Sequence, residues 1–257
     1  MINLLSGFID EIERMIKIFS GFEELNFYAA EKFVAIADGS IKQNGRFSVA
    51  LAGGSTPKSL YQTLSSGDYK GKIDWSRVYF FFGDERNVAP DDEDSNFKMA
   101  NENLFTPLKI SDENIFRWQT ELTDADEIAA DYEDKIKSFF NLAADEFPRF
   151  DLILLGMGAD GHTASLFPFS AALNESENLA VDNPVEKLGT TRLTLTLPTI
   201  NNAANVIFLV KGADKAETLR EVLEGDFEPE TYPSQAVKPR DGNLYWLVER
   251  EAAQLLS

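Results

Sequence analysis

The strand-like runs of this chain keep ending in the same punctuation. Phe47-Ser-Val-Ala-Leu51 runs into Ala-Gly-Gly-Ser-Thr-Pro57. Val78-Tyr-Phe-Phe-Phe82 runs into Gly83-Asp-Glu-Arg86, and Phe150-Asp-Leu-Ile-Leu-Leu155 into Gly156-Met-Gly-Ala-Asp-Gly-His162. Short apolar runs bounded by turn residues suit strands buried on both faces, and helical periodicity fills the intervals between them. Strands alternating with helices predict an α/β fold, a largely parallel sheet flanked by helices in a Rossmann-like arrangement. Ligands of such sheets bind beyond the carboxyl ends of the strands, where these glycine turns fall.

The remaining elements follow the same logic. Met15 to Phe19 alternates as a first strand. Glu23 to Gly39 reads as a helix with Leu25, Tyr28, Ala29, Phe33 and Ile36 on one face and Gly39 as its C-cap. Pro57 to Leu64 opens with proline, as helices commonly do. Helices are expected from about Asn96 to Leu104, over Asp124 to Phe140 and over Lys215 to Leu223. Strands are expected over Arg192 to Leu197, Asn205 to Val210 and Leu244 to Val248, with a last helical turn from Ala252 to Leu256. Pro168 to about Thr190 reads as loop. The aromatic run Tyr79 to Phe82 reads as core. No repeat or linker interrupts the chain, so residues 15–257 are expected to form one domain, preceded by an extension over residues 1–14.

Charge limits what this fold can bind. The net charge is −19, from 24 basic and 43 acidic residues. Such a surface repels nucleic acid and anionic membranes. It also repels a phosphorylated substrate at long range, so a phosphate site here needs a local set of arginine, lysine and backbone N–H groups. There are no cysteines, which excludes disulfides, thiolate metal sites and a cysteine nucleophile. No apolar run approaches the length of a membrane span, and the first residues lack the basic start of a secretory signal. A cytoplasmic protein is expected, a monomer by default.

Three turns could carry chemistry. In Gly53-Gly-Ser-Thr56, glycines and hydroxyls at a helix start can cradle an anion, although a plain glycine turn with a hydroxyl cap has the same sequence. The spacing and terminal residues of a P-loop are absent. Gly156 to Gly161 satisfies GxGxxG, but Pro168 blocks the long helix that a dinucleotide site requires. His162 is the only histidine, and an imidazole there can act as a general base near neutral pH. Asp160 can orient it if the pair lies on a turn. A single histidine offers little to a metal, and without a GxSxG elbow a serine nucleophile is disfavoured. Arg86 can grip a phosphate or carboxylate, or simply pair with Asp84 and Glu85.

Taken together, Leu51 to Tyr61, Phe81 to Arg86 with Ser95-Asn96 downstream, and Leu154-Leu-Gly-Met-Gly-Ala-Asp-Gly-His-Thr-Ala-Ser-Leu-Phe-Pro168 closely resemble the 6-phosphogluconolactonase family. Arg192 to Pro198, Gly212 to Lys215 and Pro233 to Ala236 continue the match in order, from about Met15 to the C-terminus. The resemblance implies the sheet shared with glucosamine-6-phosphate deaminase. It implies hydrolysis of 6-phospho-D-glucono-1,5-lactone in the pentose phosphate pathway, without cofactor or metal. It makes His162 the base for water and Asp160 its partner. Gly53, Gly54, Ser55, Thr56, Asp84, Arg86, Arg192 and Lys215 become contacts of the sugar phosphate. A deaminase, or a non-catalytic sugar-phosphate-binding domain, remains the alternative. The deaminase pattern carries a glutamate where this chain has Phe167. Lys211 is an extra basic residue with no assignment.

Overall fold

The computed structural model describes residues 14–257. Of the extension expected over residues 1–14, all but Arg14 lies outside the described residues. The six-stranded sheet contains β1 (Arg14–Phe19), β2 (Phe47–Leu51), β3 (Val78–Phe82), β5 (Leu152–Leu155), β8 (Asn205–Val210) and β9 (Asn243–Glu249). Its order is β1-β9-β8-β5-β2-β3, and every neighbouring pair is parallel. A smaller antiparallel sheet joins β4 (Asp84–Arg86), β7 (Thr190–Leu195) and β6 (Ala180–Val185) in the order β4-β7-β6.

The helices connect these strands. They are α1 (Phe22–Asn44), α2 (Ser55–Leu64), α3 (Asn96–Ala100), α4 (Thr106–Leu108), α5 (Ala125–Phe140), α6 (Leu197–Asn201) and α7 (Ala216–Glu224). The central strands β2 and β5 are buried along their whole length, which is why they read as continuous apolar runs. Phe80, Phe81 and Phe82 are all buried, and Phe81 stacks on Phe116 with ring centres 4.6 Å apart. No helix among the described residues is long and apolar enough to cross a membrane.

The chain reverses direction across the sheet between β2 and β5. From β2 it moves to β3 on one side; from β5 it moves to β8 on the other. The loops that leave these adjacent strands therefore diverge, and a crevice opens at their carboxyl ends.

Several expected boundaries move. Helix α1 runs through exposed Gly39 and stops at Gly45, whose φ of 77° supplies the left-handed cap. The helix expected from Asn96 to Leu104 continues as a π-turn over Asn101–Phe105 into α4. Gly83-Asp-Glu-Arg86 is more than a strand-end loop, because its last three residues form β4. The stretch expected as loop from Pro168 to Thr190 contains β6. Pro184 breaks the alternating pattern there, and an edge strand tolerates it because one row of its N–H groups has no ladder partner. The last turn from Ala252 is a series of turns rather than a helix.

Candidate active site

A cleft of about 500 Å³ fills the crevice between the β2 and β5 loops. One wall is Gly53 to Thr56. Gly54 has a φ of 98°, open to glycine and strained for other residues, and this turns the chain directly from β2 into α2. No side chain caps α2, so its first-turn N–H groups and the positive end of its dipole face the cleft. The buried Tyr61 hydroxyl, about two turns into the helix, bonds both the N–H and the carbonyl of Ala52 and fixes the base of this wall.

The opposite wall is the turn after β5. The Gly158 N–H donates to the His162 carbonyl at 2.8 Å, and the Gly161 N–H donates to the Gly158 carbonyl at 3.1 Å. Closing the turn this tightly brings Asp160 and His162 into contact, with Asp160 Oδ1 2.5 Å from His162 Nδ1. The same oxygen accepts the His162 N–H at 3.2 Å. A Cβ on Gly158 would lie 2.1 Å from His162 Nδ1, so the close approach requires glycine. The turn is held from outside by Thr218, which donates to the Ala159 carbonyl, and by Ser234, which donates to the Gly161 carbonyl. Neither tether is apparent in sequence, because each spans more than fifty residues.

Asp160 is held ionised. Burial alone would raise its carboxyl, but hydrogen bonds from His162 and Lys187 outweigh burial and keep it well below the usual carboxylate range. Lys187 is a residue that sequence reasoning missed. It comes from the tip of the β6–β7 hairpin, inside the stretch read as loop, and its ammonium reaches the second Asp160 oxygen. Phe167, standing where the deaminase pattern has glutamate, stacks on the His162 ring at 4.4 Å.

Arg86 and Arg192 are directly opposed across β4 and β7. Like charges so placed repel each other. Burial first, then Arg86, lowers the Arg192 guanidinium from its ordinary value, while Asp84, Asp94 and Glu85 act to raise it. Arg86 donates to the Asp94 carbonyl at 2.7 Å. Both arginines border a hollow that adjoins the main cleft and shares His162 with it. Lys215 lines the cleft from the β8 side, 3.3 Å from Asp214, and Lys211 lies there over the Phe22 ring at 3.8 Å.

Asp84 also faces the cleft, but its carboxylate is engaged elsewhere. Oδ2 accepts from Ser165 at 2.7 Å, and Oδ1 faces the Asn96 amide at 3.4 Å. It anchors the loop after His162, where Ala164 is held at a φ of 47°. Glu85 is turned inward and accepts the N–H groups of Asn96 and Phe97 at 2.7 and 2.8 Å, capping α3. Burial pushes its carboxyl up to about 7 against the pull of those donors. Among the described residues, no group of three or more histidine or carboxylate side chains is arranged to hold a metal ion.

Thus the structure brings Gly53 to Thr56, Asp84, Arg86, Lys215 and His162 around one cleft, with Asp160 and Arg192 bordering the adjoining hollow. No helix opens after Gly161, so the GxGxxG match does not build a dinucleotide site.

A profile of the glucosamine-6-phosphate isomerases/6-phosphogluconolactonase family matches residues 22–246. A 6-phosphogluconolactonase of Nostoc is 43% identical over 221 residues, 86% of this chain and 89% of the relative. One of Synechocystis is 41% identical over 218 residues, 84% of this chain and 88% of the relative. The solved 6-phosphogluconolactonase of Trypanosoma brucei superposes with a TM-score of 0.86 at 32% identity, covering 96% of this chain and all of that one (100%).

Proposed function

The chain belongs to the glucosamine-6-phosphate isomerase/6-phosphogluconolactonase family, and on that premise we propose that it hydrolyses 6-phospho-D-glucono-1,5-lactone to 6-phosphogluconate with His162 as the base. The observation that carries the mechanism is the 2.5 Å contact between Asp160 Oδ1 and His162 Nδ1 at the cleft.

Asp160 accepts the Nδ1 proton and so leaves Nε2 as the basic nitrogen. Nε2 takes a proton from water as the oxygen attacks the lactone carbonyl. The tetrahedral intermediate then expels the ring oxygen, which accepts that proton to become a hydroxyl. The other product group, a carboxylic acid, ionises at neutral pH. The ionised Asp160 stabilises the imidazolium that forms between these steps.

The substrate phosphate needs a site of opposite charge on this acidic protein. The start of α2 with Ser55 and Thr56, the paired arginines 86 and 192, and Lys215 are the groups that can supply it. Phe167 supports lactone hydrolysis over deamination, because an aromatic ring cannot replace a carboxylate in proton transfer to an amine.

The test follows freshly generated lactone with 6-phosphogluconate dehydrogenase as the coupling enzyme, with spontaneous hydrolysis as the blank. Wild type is expected to accelerate the reaction, and His162→Ala to lose roughly 10²–10⁴-fold. Full activity in His162→Ala would remove the base assignment and keep the reaction. No acceleration by folded wild type would sink both.

A further inference from the structure

The tip of the β6–β7 hairpin, far from the glycine turn in sequence, reaches both supports of the His162 ring. Glu186–Leu188 form a single 3₁₀ turn closed by Gly189 at a φ of 60°. From it the Lys187 ammonium bonds Asp160 Oδ2, the carboxylate oxygen that His162 does not use. The same ammonium lies 4.9 Å from the centre of the Phe167 ring. Phe167 in turn stacks on His162. One side chain therefore touches the group that bonds the imidazole edge and the group that covers its face.

We propose that Lys187 is a positioning residue for lactone hydrolysis, one that holds Asp160 in the orientation His162 needs and sets how strongly that carboxylate supports the imidazolium. The proposal rests on His162 and Asp160 acting as assigned above. A carboxylate with one oxygen free can rotate about its terminal bond and present either oxygen, at a poorer angle, to Nδ1. A lysine on Oδ2 removes that freedom. It also draws charge away from Oδ1, so Asp160 stabilises the imidazolium less than an unpaired carboxylate would. The other charged groups lining the hollow and the cleft beside the pair are Asp84, Arg86, Arg192, Lys211, Asp214 and Lys215. Asp84 is bound to Ser165, Lys215 lies beside Asp214 and Lys211 lies over the Phe22 ring; among the described residues, Lys187 is the lysine or arginine that forms an ion pair with Asp160.

The test compares wild type, Lys187→Met, Lys187→Arg and His162→Ala. Because the chain has one histidine, its ring signals in a nitrogen-correlated NMR titration are unambiguous without any activity. In Lys187→Met the titration midpoint of the imidazole and the acid limb of kcat/KM should both move to higher pH than in wild type. Its kcat should fall about tenfold or more, the usual scale for losing a group that orients a functional ligand. KM should stay within a few-fold, and Lys187→Arg should recover most of kcat. A Lys187→Met enzyme with unchanged midpoint and kcat would overturn the proposal. So would a loss confined to KM, because that marks Lys187 as a substrate ligand. If His162→Ala were fully active, the base assignment would fail instead, and the NMR shift would still report whether Lys187 acts on the imidazole.

Discussion

The Tyr61 hydroxyl is bonded twice to Ala52, donating to its carbonyl at 2.7 Å and accepting its N–H at 3.1 Å. Tyr132 does the same one strand over, bonding the carbonyl of Phe82 at 2.9 Å and its N–H at 2.7 Å. Both hydroxyls are buried, and burial raises them well above the ordinary phenol range, so they act as neutral donors and acceptors. Each satisfies the backbone at the point where a strand leaves the sheet to form the site.

Tyr61→Phe keeps the ring and removes only that pair of hydrogen bonds. Two buried backbone groups lose their partner, which should cost about 1–3 kcal/mol in urea unfolding. Because Ala52 precedes Gly53-Gly54, KM for the sugar phosphate should rise while kcat changes less. Unchanged stability would mean that water replaces the hydroxyl.

Gly158→Ala tests the turn geometry. The new methyl would fall 2.1 Å from His162 Nδ1 and 2.8 Å from Asp160 Oδ1, and the residues it meets are the reacting pair. The histidine must move, and kcat should fall to near the level of His162→Ala, roughly 10²–10⁴-fold below wild type. The start of α2, one of the groups proposed to hold the phosphate, lies across the cleft and is untouched, so affinity for inorganic phosphate should hold. A Gly158→Ala enzyme with wild-type kcat would show that the tight turn is not needed for catalysis.

Much of this was legible in sequence because it is local. The buried run of β2 and the mostly buried run of β3 have their expected bounds to the residue. The Asp160–His162 contact follows from a glycine turn two residues wide. What sequence hid is long-range. Lys187 sits 27 positions from Asp160 on a hairpin whose strand β6 contains a proline and polar residues, so neither a strand signal nor a motif marked it. Thr218 and Ser234 hold the turn through backbone carbonyls, contacts that any small hydroxyl residue could make and no pattern announces. Gly39 resembled a helix stop because glycine is a poor helix former, but α1 packs Leu25, Ala29, Phe33 and Ala37 against the core, and that packing carries the helix through it.

Arg192→Met separates affinity from stability. Arg192 is opposed to Arg86, partly buried, and repelled by it, and an anion bound between them, as proposed for the phosphate, would relieve that repulsion. Removing it should leave the free protein as stable as wild type or slightly more so. KM for the phosphorylated lactone should rise about 10- to 100-fold, the scale of one charge-assisted hydrogen bond. Inorganic phosphate should raise the Tm of wild type more than that of the variant. Equal protection of both would place the phosphate elsewhere.

Asp160 gives a pH dependence with a definite sign. Its carboxyl in the folded protein titrates below the usual carboxylate range, because His162 and Lys187 favour the ionised form more than burial disfavours it. The unfolded chain therefore takes up this proton first as pH falls, and unfolding becomes easier. The stabilisation from Asp160 is present above its unfolded value, about pH 4, and is lost as pH drops through the lower folded value. Asp160→Asn has no such proton to take up. The gap in urea midpoint between wild type and Asp160→Asn should therefore be open at pH 5 and shrink steadily toward pH 2. A gap that stays constant over that range would mean that Asp160 does not hold its partners as an anion, and the orienting role assigned to it would fall with that result.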